Sequence, residues 1–578
     1  MRPVRLAHTL RPNAAARYLN PMRRDLPVIH RSGSSASNRF PKLRESSKEH
    51  PLRVVLVGIA GTSKDVLLAP ATLMSYVLAD PAVSEAVVVE VIHHKYMLPR
   101  NVPAESEVLA AEIAARQPDL VGFSTYCWNI EAVRRIAWSL RTTSPRTRIL
   151  LGGPEIDGND LSRGLYDEEP YDFLVVGEGE TAFLGLLRTA LDPALDGTRV
   201  PRLAFNGGGG FVFTPVSDYS VGLTDLKTMP SPFLTGAIPK ALLKPGARMN
   251  IETQRGCNLR CAYCLYHANF PKIRYRDVEV VLDELAYIQS HGITDFRITD
   301  ANFFSDHDFA TALLKGMIAR RFEMSLFVEV IPVFVDEEVA ELMRQYRELS
   351  PRNQILVGVG LQTINEASLR AINRRVPVRH FDRAFDLLSK AGVIIKTDLI
   401  LGLPLESKTT YLRLMDYISE KMRYGYNYLS LALLRLLPGT ELKEIAEKYQ
   451  LVADERDPDQ HFVYETPDMP RDDLVLCARV SGVAFRLFHT NDDRARMQVR
   501  DMYFETRDYL GMSHIEMLEH FVGFFMEHLR GTRADFVQDD YPDIEHYWFF
   551  DIHKDVSDEV IVEELERMAQ THRRQLAV

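Results

Sequence analysis

Short apolar runs alternate with helical stretches over two parts of this 578-residue chain, and no other feature limits the possible folds as strongly. In the first part, strands are predicted at 53–58, 86–92, 120–124, 149–153 and 173–177, with helices at 65–78, 104–116, 130–141 and 181–190. Apolar runs without polar alternation are typical of strands that are buried on both faces of a sheet. The order of elements therefore predicts a doubly wound parallel sheet, with ligands beyond the carboxyl ends of its strands.

The second part repeats the pattern. Its strands are predicted at 250–254, 295–299, 325–331, 355–361, 393–401 and 428–434, and its helices at 277–290, 306–320, 336–347, 380–391 and 408–423. Six strands with helices between them predict a partial (β/α)6 barrel, whose chemistry should lie at the carboxyl ends of the strands. Beyond residue 441, helical stretches near 472–488, 513–529 and 557–572 predict a mostly helical C-terminal domain.

These patterns divide the chain into five segments. They are a disordered leader at 1–50, a Rossmann-like domain at 51–195, a hairpin and linker at 196–247, the partial barrel at 248–441 and the helical domain at 442–578. The leader has eleven Lys and Arg residues against three Asp and Glu. The whole chain carries a net charge of −10, so the remainder is acidic, which disfavours a general nucleic-acid surface.

Three of the five cysteines, Cys257, Cys261 and Cys264, fall within eight residues in the spacing CxxxCxxC. Thiolates are ligands for soft metals, and three of them on a four-iron cluster would leave one iron open. A structural zinc site usually needs four ligands, and no second pair is nearby because Cys127 and Cys477 are distant in sequence. The spacing is also compatible with a zinc knuckle or with three buried thiols.

The small number of cysteines also bears on the compartment. Five cysteines do not suggest a disulfide framework, and a cluster needs reduced thiols, so we expect a cytoplasmic protein. No run of about 18 apolar residues is present, so the sequence predicts no membrane span.

The cysteine motif follows the predicted strand at 250–254, and an aromatic residue, Tyr263, precedes its last cysteine. In these features the chain resembles the radical S-adenosylmethionine (radical SAM) superfamily. The resemblance implies a [4Fe-4S] cluster on Cys257, Cys261 and Cys264, with S-adenosylmethionine (SAM) on the fourth iron.

Other motifs of the superfamily have counterparts at the ends of the predicted barrel strands. Asp300 and Asn302 stand where relatives contact the methionyl amine, although the usual Gly-Gly-Glu is absent, and Gln362 matches a ribose-binding position. The residues that match a Gly-x-Pro-x-Glu pattern behind the adenine are Gly402, Pro404 and Glu406. The resemblance implies that these residues and Tyr263 bind SAM.

The first domain resembles the cobalamin-binding domain of one radical SAM subgroup. The matching strand-end residues are Ser124, Thr125, Tyr126, Gly152, Gly153, Gly177 and Gly179. Many such domains carry a cobalt-ligating His after the first strand, but the loop at 58–65 has none, and His93 and His94 follow the second strand instead. The resemblance therefore implies cobalamin whose lower face lacks a histidine. A Rossmann-like domain that binds nothing would show the same strand pattern.

Residues that face the barrel interior are candidates for the substrate. Glu329 shares a face of its predicted strand with Phe327 and Ile331. A carboxylate that points into a barrel is costly unless it is paired, which favours contact with substrate or cofactor, or else a salt bridge. The aromatic residues that could wall a pocket from the C-terminal domain are Phe504, Tyr509, Phe521, Phe525, Tyr547, Trp548 and Phe549.

The resemblance covers roughly residues 52–441 and implies a cobalamin-dependent methyltransferase that acts on a poorly activated carbon. It implies a [4Fe-4S] cluster, SAM and cobalamin as cofactors, flavodoxin or ferredoxin as reductant, and a small-molecule or peptide substrate. Radical and polar methyl transfer both remain open. The sequence is also compatible with a cyclase or ring-rearranging enzyme of the same superfamily, and with a cobalamin- or cluster-based sensor.

Overall fold

The computed structural model describes residues 39–576 apart from 63–64, 98–100, 214–221, 267–269, 271, 426, 454–460, 490–493 and 533–554. The strands of the N-terminal part are β1 (Leu52–Ile59), β2 (Asp65–Val66), β3 (Val87–His94), β4 (Leu120–Ser124), β5 (Arg148–Gly152), β6 (Phe173–Val175), β7 (Leu203–Asn206) and β8 (Phe211–Phe213). Its helices are α1 (Ala69–Leu78), α2 (Pro81–Ala86), α3 (Val102–Ala115), α4 (Ile130–Thr143), α5 (Gly158–Arg163) and α6 (Glu180–Leu191).

The first sheet has the order β3-β1-β4-β5-β6-β7-β8. The five strands from β3 to β6 are parallel, whereas β7 and β8 form a hairpin that pairs antiparallel with β6. Val55 and Val57 pack on one helical layer, and Val54 and Leu56 pack on the other. The strand is therefore apolar throughout because both of its faces are buried. The predicted doubly wound sheet is confirmed, and its order reverses between β1 and β4.

The strands of the second part are β9 (Arg248–Ile251), β10 (Gln254–Arg255), β11 (Arg274–Tyr275), β12 (Asp295–Ile298), β13 (Ser325–Val330), β14 (Ile355–Gln362), β15 (Ile394–Leu401) and β16 (Tyr428–Leu433). Its helices are α7 (Val278–Ser290), α8 (His307–Ala319), α9 (Glu337–Glu348), α10 (Glu366–Ala371), α11 (Val378–Lys390) and α12 (Lys408–Lys421). All of these strands except β10 and β11 join β2 in an open parallel sheet of the order β16-β15-β14-β13-β12-β9-β2, whereas β10 and β11 form a separate antiparallel pair. The predicted partial barrel is confirmed.

Strand β13 shows how the barrel is built. Its alternate residues Leu326, Val328 and Val330 are buried in the core beneath the helices. The intervening residues Phe327 and Glu329 are half-buried and share the other face. This period-two alternation gives the barrel an apolar outer layer and a partly polar interior.

The loop after β1 differs from its prediction. We expected a helix over 65–78, but Asp65 and Val66 form the short strand β2, which pairs in parallel with Arg248 and Met249 of β9. The Asn250 side chain also donates a hydrogen bond to the Val66 carbonyl, at 3.1 Å. The first domain therefore supplies an edge strand to the barrel sheet, and helix α1 begins only at Ala69.

The C-terminal part contains α13 (Glu441–Glu444), β17 (Val452–Ala453), β18 (Val463–Glu465), α14 (Arg471–Phe488), α15 (Arg494–Leu510), α16 (His514–Thr532) and α17 (Asp558–Leu576). Helix α14 packs on β16 and α12, and its buried residues share one continuous core with the barrel. Phe504, Phe521 and Phe525 are buried in that core rather than lining a pocket, and Tyr509 is exposed. Tyr547, Trp548 and Phe549 lie outside the described residues.

The predicted leader is corrected at its end. Residues 39–50 were expected to lack structure, but Phe40 packs against Phe173 and Phe205 with ring centroids 5.5 and 5.1 Å away. Arg44 forms an ion pair with Asp119 at 2.8 Å. This segment therefore packs on the first domain, while residues 1–38 lie outside the described part of the chain.

Across the described residues, no helix combines the length and the apolar character that crossing a membrane requires.

Candidate cluster and cofactor site

The cysteine motif occupies the connection between β10 and β11, which pair antiparallel at its base. Gly256 begins this connection with a φ of +104°. A Cβ atom at Gly256 would lie 2.6 Å from the Lys272 carbonyl oxygen, so only glycine allows the two ends of the connection to approach so closely. We call residues 256–273 the cysteine loop.

The three thiols lie in an apolar part of this loop. Cys261 is buried, Cys257 and Cys264 are half-buried, and Leu259 and Ile331 pack among them. Burial raises the pKa of Cys257 to about 11 and that of Cys264 to about 12. These two thiols are therefore neutral at physiological pH without metal, and binding of a metal must release their protons.

Arg374 supplies positive charge to the same place. Its buried guanidinium lies 3.6 Å from the Cys261 sulfur and 3.4 Å from the Tyr263 hydroxyl, and it donates to the Gly360 carbonyl. A buried cation favours thiolate over thiol. Sequence reasoning missed Arg374, because a single arginine after a helix gives no signal without its spatial neighbours.

The donor set fits an iron–sulfur cluster better than a single ion. In the described residues, no group of three His, Cys, Asp or Glu side chains is arranged to hold one metal ion. The ligands of a four-iron cluster bind different irons, so they need not converge on one point. Three cysteines in one loop beside a buried guanidinium are compatible with a cluster that takes one cysteine per iron.

Asp300 and Asn302 hold the barrel top together. Buried Asp300 accepts hydrogen bonds from the backbone N–H groups of Thr253 and Gln254, at 2.9 and 3.1 Å, and from the Thr253 hydroxyl. Asn302 accepts from the Ile331 N–H at 3.0 Å. Their predicted contact with SAM stays a prediction, because both side chains already have partners that position the ends of β9 and β13.

Two other residues that are predicted to bind SAM make fewer hydrogen bonds within the protein than Asp300 and Asn302 do. The side chain of Gln362, at the end of β14, has no hydrogen-bond partner in the described residues. Buried Glu406 accepts a hydrogen bond from the Thr363 hydroxyl at 2.6 Å, but its second oxygen has no partner there. The adjoining turn keeps Gly402 and Pro404 buried beside the barrel end. Burial raises the pKa of Glu406 to about 8.

The raised pKa of the Glu406 carboxyl predicts how the stability of the protein depends on pH. Because the pKa of Glu406 is raised on folding, the folded chain retains a proton that the unfolded chain loses, so stability falls as pH rises from its ordinary pKa towards 8. We expect Glu406→Gln to remove this part of the fall, which is on the order of a few kcal/mol. Urea unfolding of the cofactor-free protein at pH 5, 7 and 8.5 measures it. Exposed Glu366→Gln is the control, and an unchanged profile in Glu406→Gln would contradict the assignment.

The predicted cobalamin residues meet at one edge of the first sheet. Ser124 pairs with Gly152, and Gly152 pairs with Val175, so three strand ends stand side by side. Thr125 donates to the Gly152 carbonyl through both its N–H and its hydroxyl, at 2.8 and 2.9 Å. Gly153 follows with a φ of +112°, and a Cβ there would lie 2.5 Å from the Thr125 carbonyl oxygen.

Aromatic residues close the point where the strand order reverses. Tyr126 stacks on Trp128 with ring centroids 4.3 Å apart, and the Trp128 indole donates to the Ile59 carbonyl at 3.3 Å. Trp128 carries no sequence signal that predicts this role, because its partners lie in other segments of the chain. His93 is the next-to-last residue of β3, and burial lowers its pKa to about 4, so it is neutral. His94 contacts the Lys95 carbonyl at 2.8 Å.

The strand-end edges of the two sheets are joined by direct contacts. Arg435, just after β16, lies 3.2 Å from the Cys127 sulfur in the loop after β4. Lys443 forms an ion pair with Asp160 at 3.0 Å. The glycine-lined edge beside Gly153 fits an extended ligand, and it lies on the side of the first domain that contacts the barrel. The residues therefore fit a cobalamin tail in addition to a cluster.

The barrel interior carries a group of charged side chains, of which only Glu329 was predicted from the sequence. The Lys396 ammonium lies 3.0 Å from both Glu329 and Asp398. Arg297 stands 3.9 Å from Glu329 and stacks over Phe327 at 4.5 Å. Burial and the charge of Glu329 raise the pKa of Asp398 to about 7. The expected salt bridge of Glu329 is present, yet its side chain stays 28% exposed and open to contact.

Comparison with known families agrees with this geometry. Residues 82–187 match the B12 binding domain, and residues 251–418 match the radical SAM superfamily. The chain therefore contains a B12-binding domain followed by a radical SAM domain. The two domain types imply the cofactors that the sequence predicted, namely SAM, a [4Fe-4S] cluster and cobalamin.

Among curated proteins, the chain is 27% identical over 391 residues to the cobalamin-dependent radical SAM methyltransferase TokK of Streptomyces tokunonensis, covering 62% of this chain and 55% of TokK. It is 28% identical over 307 residues to the 2-(S-pantetheinyl)-carbapenam-3-carboxylate methyltransferase of Streptantibioticus cattleyicolor, covering 51% and 44%. The chain thus spans about half the length of these relatives. The radical SAM methyltransferase TsrM of Kitasatospora setae, solved with cobalamin and a [4Fe-4S] cluster, shares its fold with a TM-score of 0.57 at 19% identity, covering 83% of this chain and all of TsrM.

Proposed function

We propose that this chain is a cobalamin-dependent radical SAM methyltransferase that methylates a poorly activated carbon atom. The observation that carries the proposal is the position of the cysteine loop and the glycine-lined strand ends, on domains whose strand-end edges are in direct contact. Both curated relatives described above are methyltransferases, which supports the reaction class.

Each cofactor has residues that would hold it. Cys257, Cys261 and Cys264 would ligate the cluster, with Arg374 as the buried counter-charge. The cobalamin tail would lie along the edge formed by Ser124, Thr125, Tyr126, Gly152, Gly153, Gly177 and Gly179. When bound, these groups supply the electron transfer and methyl transfer that amino-acid side chains cannot perform.

The protein's own residues bind, orient and exclude water. Asp300 accepts a hydrogen bond from the Thr253 N–H just after β9, which fixes the end of that strand. Asn302 joins two elements, because its side chain accepts from the Ile331 N–H just after β13 and its backbone carbonyl accepts from the Gln254 side chain. Glu406 would contact SAM through its unpartnered carboxylate oxygen. Gln362 would contact SAM from the neighbouring strand end of β14. The helical domain seals the barrel through a shared apolar core, which keeps water from that side of the reaction space.

The substrate would enter the barrel interior. The group formed by Arg297, Glu329, Lys396 and Asp398 offers both signs of charge on partly exposed side chains. Such a surface suits a small polar molecule or a peptide segment. An external reductant of the flavodoxin or ferredoxin type would supply electrons to the cluster.

Lys396 tests the charged group without requiring the substrate. Lys396→Met leaves Glu329 and Asp398 without their shared cation, so the two carboxylates repel each other. We expect the unfolding free energy to fall by about 1–3 kcal/mol at pH 8, because breaking a buried ion pair costs about 3–5 kcal/mol and these side chains are partly solvated. The loss should shrink at pH 5, where Asp398 is protonated. Lys390→Met, on the exposed end of α11, is the control, and equal losses in the two variants would contradict the assignment.

Isotope transfer tests the proposed reaction class. The reconstituted, reduced protein is incubated with hydroxocobalamin and SAM whose methyl group is deuterated, and the cobalamin is examined by mass spectrometry. We expect the labelled methyl group on cobalamin together with S-adenosylhomocysteine. Cobalamin that is bound but stays unlabelled would contradict a methyltransferase.

A further inference from the structure

The turn after β6 contains glycines that belong to the proposed cobalamin edge and glutamates that contact the second domain. In Gly177-Glu-Gly-Glu180, the glycines belong to the proposed cobalamin edge, whereas the side chains of Glu178 and Glu180 are 0% and 6% exposed. Both carboxylates contact Arg255, whose side chain is also 6% exposed. Arg255 is the last residue of β10 and stands two positions before Cys257.

Arg255 is held by three carboxylates from two domains. Its guanidinium lies 3.0 Å from Glu178 and 2.6 Å from Glu180, both of the first domain. It also contacts Glu252 of its own domain at 2.9 Å. Burial alone would raise the pKa of Glu180, but the charge and hydrogen bonds of Arg255, together with hydrogen bonds from Thr224 and the backbone, hold that pKa below its usual value. Every nitrogen atom of this guanidinium thus donates to an acidic partner.

A second arginine makes the same connection from the other end of the cysteine loop. Arg274 of β11 pairs across the ladder with Arg255 of β10. Its guanidinium also forms an ion pair with Glu178 and donates to the Thr224 carbonyl. The two strands at the base of the cysteine loop are therefore both clamped to one carboxylate of the first domain.

Buried charges of this kind specify an arrangement rather than simply adding stability. Removing charged groups from water costs several kcal/mol each, and only well-aligned partners offset the cost. Arg255 suits this task because its planar fork matches several carboxylates at once, whereas lysine presents a single point charge. A small displacement of either domain would leave one of these charges unpaired. The position of the cysteine loop is thus tied to the position of the Gly177–Gly179 turn.

We propose that Arg255 is a positioning residue that couples cobalamin binding to the state of the cysteine loop through Glu178 and Glu180. The inference rests on the proposed function, because it needs both cofactors to bind. An ordered cysteine loop fixes Arg255, and Arg255 fixes the turn that lines the cobalamin edge. Coupling between two sites is reciprocal, so bound cobalamin must also favour the cluster-ready loop.

Cobalamin affinity measures the coupling directly. The full chain is prepared with its cluster and, separately, cluster-free with reduced thiols, and the dissociation constant of hydroxocobalamin is measured for each by equilibrium dialysis. We expect cobalamin to bind the cluster-loaded form about 5- to 150-fold more tightly, the usual range for coupled sites. In Glu178→Gln and Arg255→Lys this ratio should fall towards one. Lys443→Met removes a different interdomain ion pair and should keep the wild-type ratio.

Hydrogen exchange provides a test on the unmodified protein, in case the variants fold poorly. We expect hydroxocobalamin to slow amide exchange in peptides from 256–273 of the cluster-free wild-type chain. Equal cobalamin affinity in the two wild-type forms, or an unchanged ratio in Glu178→Gln, would overturn the coupling and leave the proposed function standing. Absence of cobalamin binding in both forms would overturn the proposed function and the coupling with it.

Discussion

Cys261→Ala is expected to abolish cluster assembly and, with it, all SAM cleavage and methyl transfer. Cys261 is the buried member of the cysteine loop and the one that Arg374 contacts at 3.6 Å. Without it, two cysteines remain for four irons, and a cluster needs more anchors than that. Iron content after anaerobic reconstitution should drop from about four atoms per chain to near zero, together with the visible absorption of the cluster.

Cys477→Ala provides the matched control. Cys477 is also buried, in helix α14, and burial raises its pKa to about 12. It packs in the apolar core away from the cysteine loop, so its loss removes one small side chain and no ligand. We expect full iron content in this variant. Equal iron in Cys261→Ala and the wild-type protein would contradict the assignment of the cluster ligands.

Gly153→Ala is expected to weaken cobalamin binding by at least about tenfold, because a left-handed, crowded position costs alanine about 1–3 kcal/mol and distorts its surroundings. The new Cβ would lie 2.5 Å from the Thr125 carbonyl oxygen and 2.8 Å from its nitrogen. Thr125 would have to move away from Gly152, whose carbonyl it contacts through two hydrogen bonds. Equilibrium dialysis with hydroxocobalamin measures the loss.

Gly208→Ala separates this effect from backbone strain alone. Gly208 also has a positive φ, of +90°, but nothing lies within 4 Å of a Cβ at that position. The residue is in the exposed turn between β7 and β8, away from the strand ends. We expect wild-type cobalamin affinity in Gly208→Ala and a full iron content in both variants. Equal affinities in Gly153→Ala and the wild-type protein would contradict the proposed cobalamin edge.

Most of the long parallel strands could be predicted to within about two residues, for a physical reason, although β9 ends three residues before its predicted end. A parallel strand that is buried on both faces, such as β4, must be apolar throughout, and the signal ends where the chain emerges. Strand β2 could not be predicted in this way. Its two residues take their structure from β9, which lies about 180 positions further along the chain. Helix α15 was also missed, because its highly charged sequence dilutes the apolar period.

The candidate site likewise combines residues that have a local sequence pattern with residues that have none. The cysteine spacing is a local pattern, so the sequence alone predicted the cluster ligands. Arg374 and the Glu178–Arg255 contact join residues that are distant along the chain, and neither has a local pattern. Asp300 was predicted from its place after the second barrel strand, and only the structure reveals that it accepts hydrogen bonds from Thr253, just after β9, and from Gln254 of β10.

The most direct test of the account is the cofactor content of the intact chain. Anaerobic reconstitution with iron, sulfide and hydroxocobalamin, followed by gel filtration, leaves only the tightly bound groups for metal analysis. We expect about four iron atoms and about one cobalt atom per chain, retained together. Full iron content without retained cobalt would contradict it, because the first domain would then lack the cofactor on which the proposed methyl transfer depends.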